Sequence, residues 1–492
     1  MKKIYFLAGL AAMTLASCSN SDEPESQLKA PETAQAQQMP IGFDAYIQRG
    51  LTRNGAEGEL TLDGTVKLTD GFGVFAYYTD NDDYDGNTIP NFMWNQKVST
   101  NAWTYEPVKY WPNEFGTANA DEADRISFFA YAPYIAADVA SGKTTAATGE
   151  AEGTGIMAFS RNNATGDPFV KYIVNLDPTK AVDLCWGTVG ASDVTWKKAN
   201  KISSANETQV FPKELPWLNV QRPYSVSQND AKVKFQFEHA LAQLNIQVKN
   251  DVDIASPAAA GDDVKSQTRV WIRSVTLTGF TSKGALNLNS TSFNKDNKAK
   301  ANWASYNNCG ELATGEEYTI YDGRKDGKEG TAAAGNEKII GINPALVQSD
   351  PYVTILPTTP VADAELKISD AVTGVTKTFQ NLFSGQTAAG LEAPIYVIPT
   401  GDAVKVTIAY DVETYDPNLS PYLSDGKIHG STISNVITKD IKVSDEDMIL
   451  ENGKKYTIKL HLGLNSVKFD ANVTGWTAGT TADPEPSLPA NE

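Results

Sequence analysis

The chain has 492 residues, with 60 Asp plus Glu against 42 Lys plus Arg and a formal net charge of −18. So acidic a surface repels nucleic acid and anionic headgroups, which disfavours both as partners. With 41% hydrophobic residues, 10% aromatics, 37 Gly and 24 Pro, the composition suits strands and turns on a chain long enough to bury a core.

Lys2 and Lys3 precede an apolar run over residues 4–16 that ends in Leu15-Ala16-Ser17-Cys18. The run is short for a bilayer span but the right size for a signal-peptide core. Small residues followed by a cysteine form the pattern of a bacterial lipoprotein signal. Residues 1–17 are therefore expected to be removed, and Cys18 to carry the lipid that holds the chain at the outer membrane. Residues 18–38 are rich in Ser, Asp, Glu, Pro, Ala and Gln. They read as a flexible tether with little to bury.

The first strand signal is the alternation of Ile41, Phe43, Ala45 and Ile47. A polar stretch with Arg49, Arg53 and a turn-forming Asn54-Gly55 comes next. Further strands are expected at 73–78, 125–134 and 182–186, with a long loop over 136–168. Three prolines in 212–223 suggest a connection between domains. Strand signals resume at Val233, Phe235 and Phe237, pause over 238–243, and return at Leu244, Ile246 and Val248. Others lie at 269–277, 352–356, 395–398 and 404–412. The run Tyr456, Ile458, Leu460, Leu462 is the clearest period-2 pattern. Its phase shifts at Asn465-Ser466, which suggests a bulge or a strand crossing between sheets. The proline-rich residues 477–492 read as a flexible tail. No amphipathic helix of convincing length is present, so the expected class is mostly β, in two sandwiches: 39–225 and 226–476.

Chemistry-bearing motifs are few. The three histidines, His239, His429 and His461, share no metal-ligand spacing, and no His-Glu-x-x-His or Gly-x-Ser-x-Gly occurs. Gly142-Lys143-Thr144 lacks the first glycine of a phosphate loop. The expectation is therefore no catalysis and no cofactor. Asn81, Asp83 and Asp85 before Gly86 resemble the opening of a calcium loop, but Phe92 stands where the bidentate Glu belongs. A solvated acidic hairpin is the reading preferred. Trp94, Trp103 and Trp111 are either part of a core or a glycan-stacking platform. Cys185 and Cys309 either pair or remain as buried free thiols.

Arg49 and Arg53 carry a sharper alternative to ordinary surface arginines. Cleavage there by an arginine-specific protease would separate the strand of Ile41, Phe43, Ala45 and Ile47 from the rest of the chain. The gap would expose unpaired backbone and an apolar groove that a strand from another chain can fill.

Several segments together resemble the fimbrillin-like lipoproteins of Bacteroidales, among them Ile41-Gly42-Phe43, Gly73-Val74-Phe75-Ala76-Tyr77-Tyr78 and Lys109-Tyr110-Trp111-Pro112. Phe128-Phe129-Ala130-Tyr131-Ala132-Pro133, the stretch from Phe235 to Leu244, and the closing Gly453 to Trp476 belong to the same pattern. The resemblance implies two transthyretin-like β-sandwich domains, lipoprotein export to the cell surface, and assembly of type V fimbriae by strand exchange with other fimbrial subunits. It also implies processing by an arginine-specific protease at Arg49 or Arg53, with Ile41, Phe43, Ala45 and Ile47 as the strand that leaves. The proline-rich end is a poor donor strand, so tip, accessory and anchor roles stand beside a stalk role. The rival expectation is a surface glycan-binding lipoprotein that does not polymerise.

Overall fold

A computed structural model describes residues 39–47, 71–99, 102–112, 124–141, 153–174, 182–189, 215–222, 232–250, 268–290, 292–293, 299–322, 353–354, 380–381, 395–414, 431–464 and 466–475. Cys18, Arg49, Arg53, His429 and the segments 1–38 and 477–492 lie outside these residues. The described residues fall in one compact unit.

The first strands in chain order are β1 (Gly42–Ile47), β2 (Phe72–Tyr78), β3 (Met93–Val98) and β4 (Arg125–Ala132). A short helix α1 (Ala137–Ser141) leads to β5 (Gly155–Phe159), β6 (Phe169–Ile173), β7 (Cys185–Val189) and β8 (Trp217–Gln221). Then come β9 (Lys232–His239), β10 (Ala242–Asn250), β11 (Thr268–Leu277), β12 (Phe280–Thr281), β13 (Lys283–Asn287) and β14 (Asn302–Ala304). After them lie β15 (Tyr318–Asp322), β16 (Val353–Thr354), β17 (Gln380–Asn381), β18 (Ile395–Pro399) and β19 (Lys405–Thr414). The last are β20 (Ser431–Asp440), β21 (Lys442–Val443), β22 (Glu446–Asp447), β23 (Lys454–Leu462) and β24 (Val467–Gly475). The protein is mostly β, as its alternating apolar positions imply.

A seven-stranded sheet runs β1-β9-β7-β4-β2-β3, with β8 added on β4. One face, with Phe72, Val74, Phe128, Phe235 and Phe237, buries Phe43 and Ala45 of β1 and Ile41 just before it. The other face, with Phe75, Tyr77, Phe129 and Tyr131, packs on Ile156, Val170, Tyr172 and Leu286 of the sheet β14-β13-β6-β5. Large residues thus line both faces, which is why β2 and β4 read as continuous apolar runs. A third apolar cluster joins the sheet β12-β18-β10-β23-β24 to the sheet β15-β11-β19-β20 through Leu244, Ile246, Val275, Ile408, Ile458 and Leu460. Gly187 of β7 has a specific reason: a Cβ there would stand 2.7 Å from the Phe235 ring and 3.0 Å from Ala130.

The expected division at 225/226 does not follow the hydrogen bonding. β9 lies beyond that line yet pairs with β7 and β1. β13 lies farther on and pairs with β6. The cause is local: after His239 the chain turns through the fully buried Ala240-Leu241 and enters a different sheet as β10. The pause read over 238–243 is this change of sheet.

Three loop readings also change. The expected loop 136–168 contains α1 and β5. The proline-rich 212–223 contains β8, which pairs with β4. The phase shift near Ser466 is neither a bulge nor a crossing. β23 and β24 are antiparallel neighbours joined by a turn in which Gly463 N donates to Ser466 O at 2.7 Å.

Candidate first-strand site

β1 is the element the sequence singles out, and it lies at the edge of the seven-stranded sheet, in a slot whose second wall meets only the residues leading into it. On one side it runs parallel to β9, with Phe43 opposite Val233, Ala45 opposite Phe235 and Ile47 opposite Phe237. A parallel partner so far along the chain cannot be a hairpin neighbour. On the other side the segment beyond β3 returns to meet the residues leading into β1. Ile41 N donates to Lys109 O and Trp111 N to Met39 O, each at 2.9 Å, and Pro40 bridges Tyr110.

The slot floor is aromatic. Phe43, 1% exposed, meets Tyr105 at 5.2 Å between ring centroids, Phe128 at 6.0 Å and Phe72 at 6.2 Å, and stacks with Phe235 at 6.1 Å. Tyr105 acts as a latch. Its hydroxyl donates to Ile41 O at 2.9 Å and accepts from Lys109 N at 3.1 Å, so one side chain ties the first strand to the second wall. Burial pushes its phenol up to about 12. On the outward side of β1, Asp44 Oδ1 meets Lys232 Nζ of β9 at 3.1 Å.

Ile41, Phe43 and Ala45 are therefore all placed in one buried row by the period-2 geometry of a strand. Ile47 is in the ladder as well. Sequence reading missed the second wall. Lys109-Tyr110-Trp111 carried a visible signal as a motif, but nothing in it said which strand it pairs with.

The three tryptophans do not make one platform. Trp111 is 3% exposed and packs edge-on against Phe128 at 5.8 Å. Trp103 lies against Phe72 at 5.6 Å in the same cluster. Trp94 packs into the cluster on the opposite face of the sheet, where its Nε1 donates to Ser160 O at 2.8 Å. Trp111 is in the core, and Trp94 and Trp103 are partly buried against it.

In the acidic loop the carboxylates of Asp83 and Asp85 have partners within the chain. The Asp83 carboxylate pairs with the Arg125 guanidinium. Asp85 accepts from Asn87 N at 2.8 Å and from its Nδ2 at 2.9 Å, bonds that hold its carboxyl below the usual range. Asn81 is exposed. These contacts fit the acidic-hairpin reading. Cys185 and Cys309 are both free; Cys185 is buried, whereas Cys309, expected inside if unpaired, is exposed.

A β-rich chain whose first strand pairs with one distant segment and is met at its entry by another is the class these features define. No family model matches the chain. Its sequence is 27% identical over 253 residues to the fimbrium subunit Fim1C of Phocaeicola vulgatus, covering 50% of this chain and 52% of that protein. The match thus spans about half the length of that curated relative. A fimbrial protein from Bacteroides vulgatus is similar in structure at 20% identity and a TM-score of 0.47, covering 89% of this chain and 99% of its own. The tip fimbrial protein Mfa3 from Porphyromonas gingivalis is similar at 9% identity and a TM-score of 0.22, covering 83% and 96%. At such identities and scores neither structural likeness bears on function. The chain is a homologue of a Bacteroidales fimbrium subunit, the relationship that the fimbrillin resemblance implies.

Proposed function

We propose that the chain is a structural or adhesive subunit of surface fimbriae, not an enzyme, in which β1 is a replaceable occupant of its slot. The observation that carries this reading is the position of β1. It is held parallel to β9 and latched by Tyr105, and it lies immediately before Arg49 and Arg53 in sequence. The named fimbrial relative supports it.

In this reading Cys18 bears a lipid that keeps the unprocessed chain at the outer membrane, facing the cell surface. Hydrolysis of the peptide bond after Arg49 or Arg53 by an arginine-specific protease detaches the lipid, tether and β1 together. The vacated slot retains aromatic walls and unpaired backbone groups. A strand from another subunit restores both the ladder and the burial. Burying Ile41 and Phe43 at roughly 1.5–3 kcal/mol each, with Ala45 adding less, makes the empty slot costly, which favours replacement over vacancy.

A tip or accessory subunit need only accept a strand, and an anchor subunit would retain its lipid. The proline-rich 477–492 makes these roles as suitable as that of a stalk. The test treats the purified full chain with an arginine-specific protease. Loss of residues up to 49 or 53, followed by oligomers, is the expected outcome. A chain that is cut there yet stays monomeric with β1 still bound would sink the strand-replacement reading.

A further inference from the structure

We propose that Asp183, Cys185 and His239 form a binding site for one divalent transition-metal ion of the zinc class, clamping β7 to β9. The strand pairing builds the cluster. Asp183 and Cys185 are two residues apart in extended chain, so their side chains share a face. Cys185 stands directly opposite His239 in the antiparallel ladder of β7 and β9. Ala240 N donates to Leu184 O at 2.8 Å, extending that pairing past the strand ends. Sequence spacing could not reveal the site, because His239 is 54 positions from Cys185.

The donor atoms converge. Cys185 Sγ lies 3.6 Å from His239 Nδ1 and 3.4 Å from Asp183 Oδ2, and Nδ1 lies 2.5 Å from Oδ2. Zinc–sulfur, zinc–nitrogen and zinc–oxygen distances of roughly 2.3, 2.0 and 2.1 Å at a tetrahedral centre place ligand atoms about 3.4–3.6 Å apart. Two of the three edges already have that length. The third is at hydrogen-bond length, so Nδ1 and Oδ2 would have to move apart by about 1 Å to admit the metal.

Two further features favour a metal. Cys185 and His239 are each 2% exposed, and Asp183 Oδ1 is buried with no hydrogen-bond partner among the described residues. A carboxylate oxygen left so is a costly group. A sulfur, nitrogen and oxygen set suits zinc and its neighbours, whereas calcium and magnesium take oxygen alone.

A nucleophilic triad does not fit the same atoms. Asp183 and Cys185 both address Nδ1, while a triad uses the two ring nitrogens separately. The effect of the metal would instead be mechanical. It would pin β9, the wall on which β1 rests, and its existence does not depend on the fimbrial reading.

The test uses the full chain stripped of metal, in a Cys18→Ala, Cys309→Ser background that leaves Cys185 as the one thiol. Titration with Co²⁺ should give a thiolate charge-transfer band that saturates at one equivalent and is displaced by Zn²⁺. Cys185→Ser should abolish the band, and His239→Gln should weaken binding by more than ~10-fold. Zn²⁺, and not Ca²⁺, should raise the thermal unfolding midpoint, a readout that needs no cluster variant to fold. No band, a band that survives Cys185→Ser, or a midpoint unmoved by Zn²⁺ would overturn the proposal.

Discussion

At the scale of single residues, Tyr105 shows how one hydroxyl can bind two distant segments. It donates to Ile41 O and accepts from Lys109 N while its ring packs on Phe43. Tyr105→Phe keeps the ring and removes the latch, so it should cost about 1–3 kcal/mol and speed the loss of β1. Chemical denaturation together with hydrogen exchange at Phe43 and Ala45 would measure both. The same phenol predicts a pH dependence. Burial raises it from its ordinary value of 10.0 to about 12, and Tyr410 rises to about 12 for the same reason. Above pH 10 the unfolded chain releases these protons before the folded chain does. Stability is therefore full below pH 10 and falls as pH climbs toward 12. Melting midpoints across that window should decline less steeply in Tyr105→Phe.

At the scale of elements, β1 shows what was legible and what was not. Its existence and inward row followed from alternation, because a half-buried strand writes its faces into every second residue. Its parallel partner did not follow, since β1 and β9 are joined by register and not by any local turn. β8 was hidden by prolines flanking Trp217–Gln221, and β5 by its small-residue surroundings. Phe43→Ala is the sharpest single change within β1. Phe43 touches four aromatic rings, so truncation should cost about 3–5 kcal/mol, measurable by urea denaturation. A loss below about 1 kcal/mol would show that β1 contributes little to the fold.

For the molecule as a whole, the sheets are interleaved along the chain and not laid out one after another. β9 completes the first sheet and continues as β10 in another, while β13 returns to pair with β6. The cluster around Tyr77 and Tyr131 also includes Tyr396 and Ile398 from far along the chain. A fragment of residues 39–225 lacks β9, β13 and β14. It should show no cooperative thermal transition by circular dichroism, whereas residues 39–476 should melt cooperatively. A sharply melting short fragment would restore the division drawn from composition.

The sequence by itself determined the mostly-β class, the inward row of β1 and the likeness to fimbrial subunits. Each of these is carried by local alternation or by short motifs in order along the chain. Only the tertiary structure decided that Trp94 and Trp111 face different cores, that Lys109–Trp111 forms the second wall of the slot, and that Asp183, Cys185 and His239 meet. The physical reason is the same in each case. Strand register joins residues far apart in the chain, and a side chain's neighbours across a ladder leave no periodic trace in its own segment.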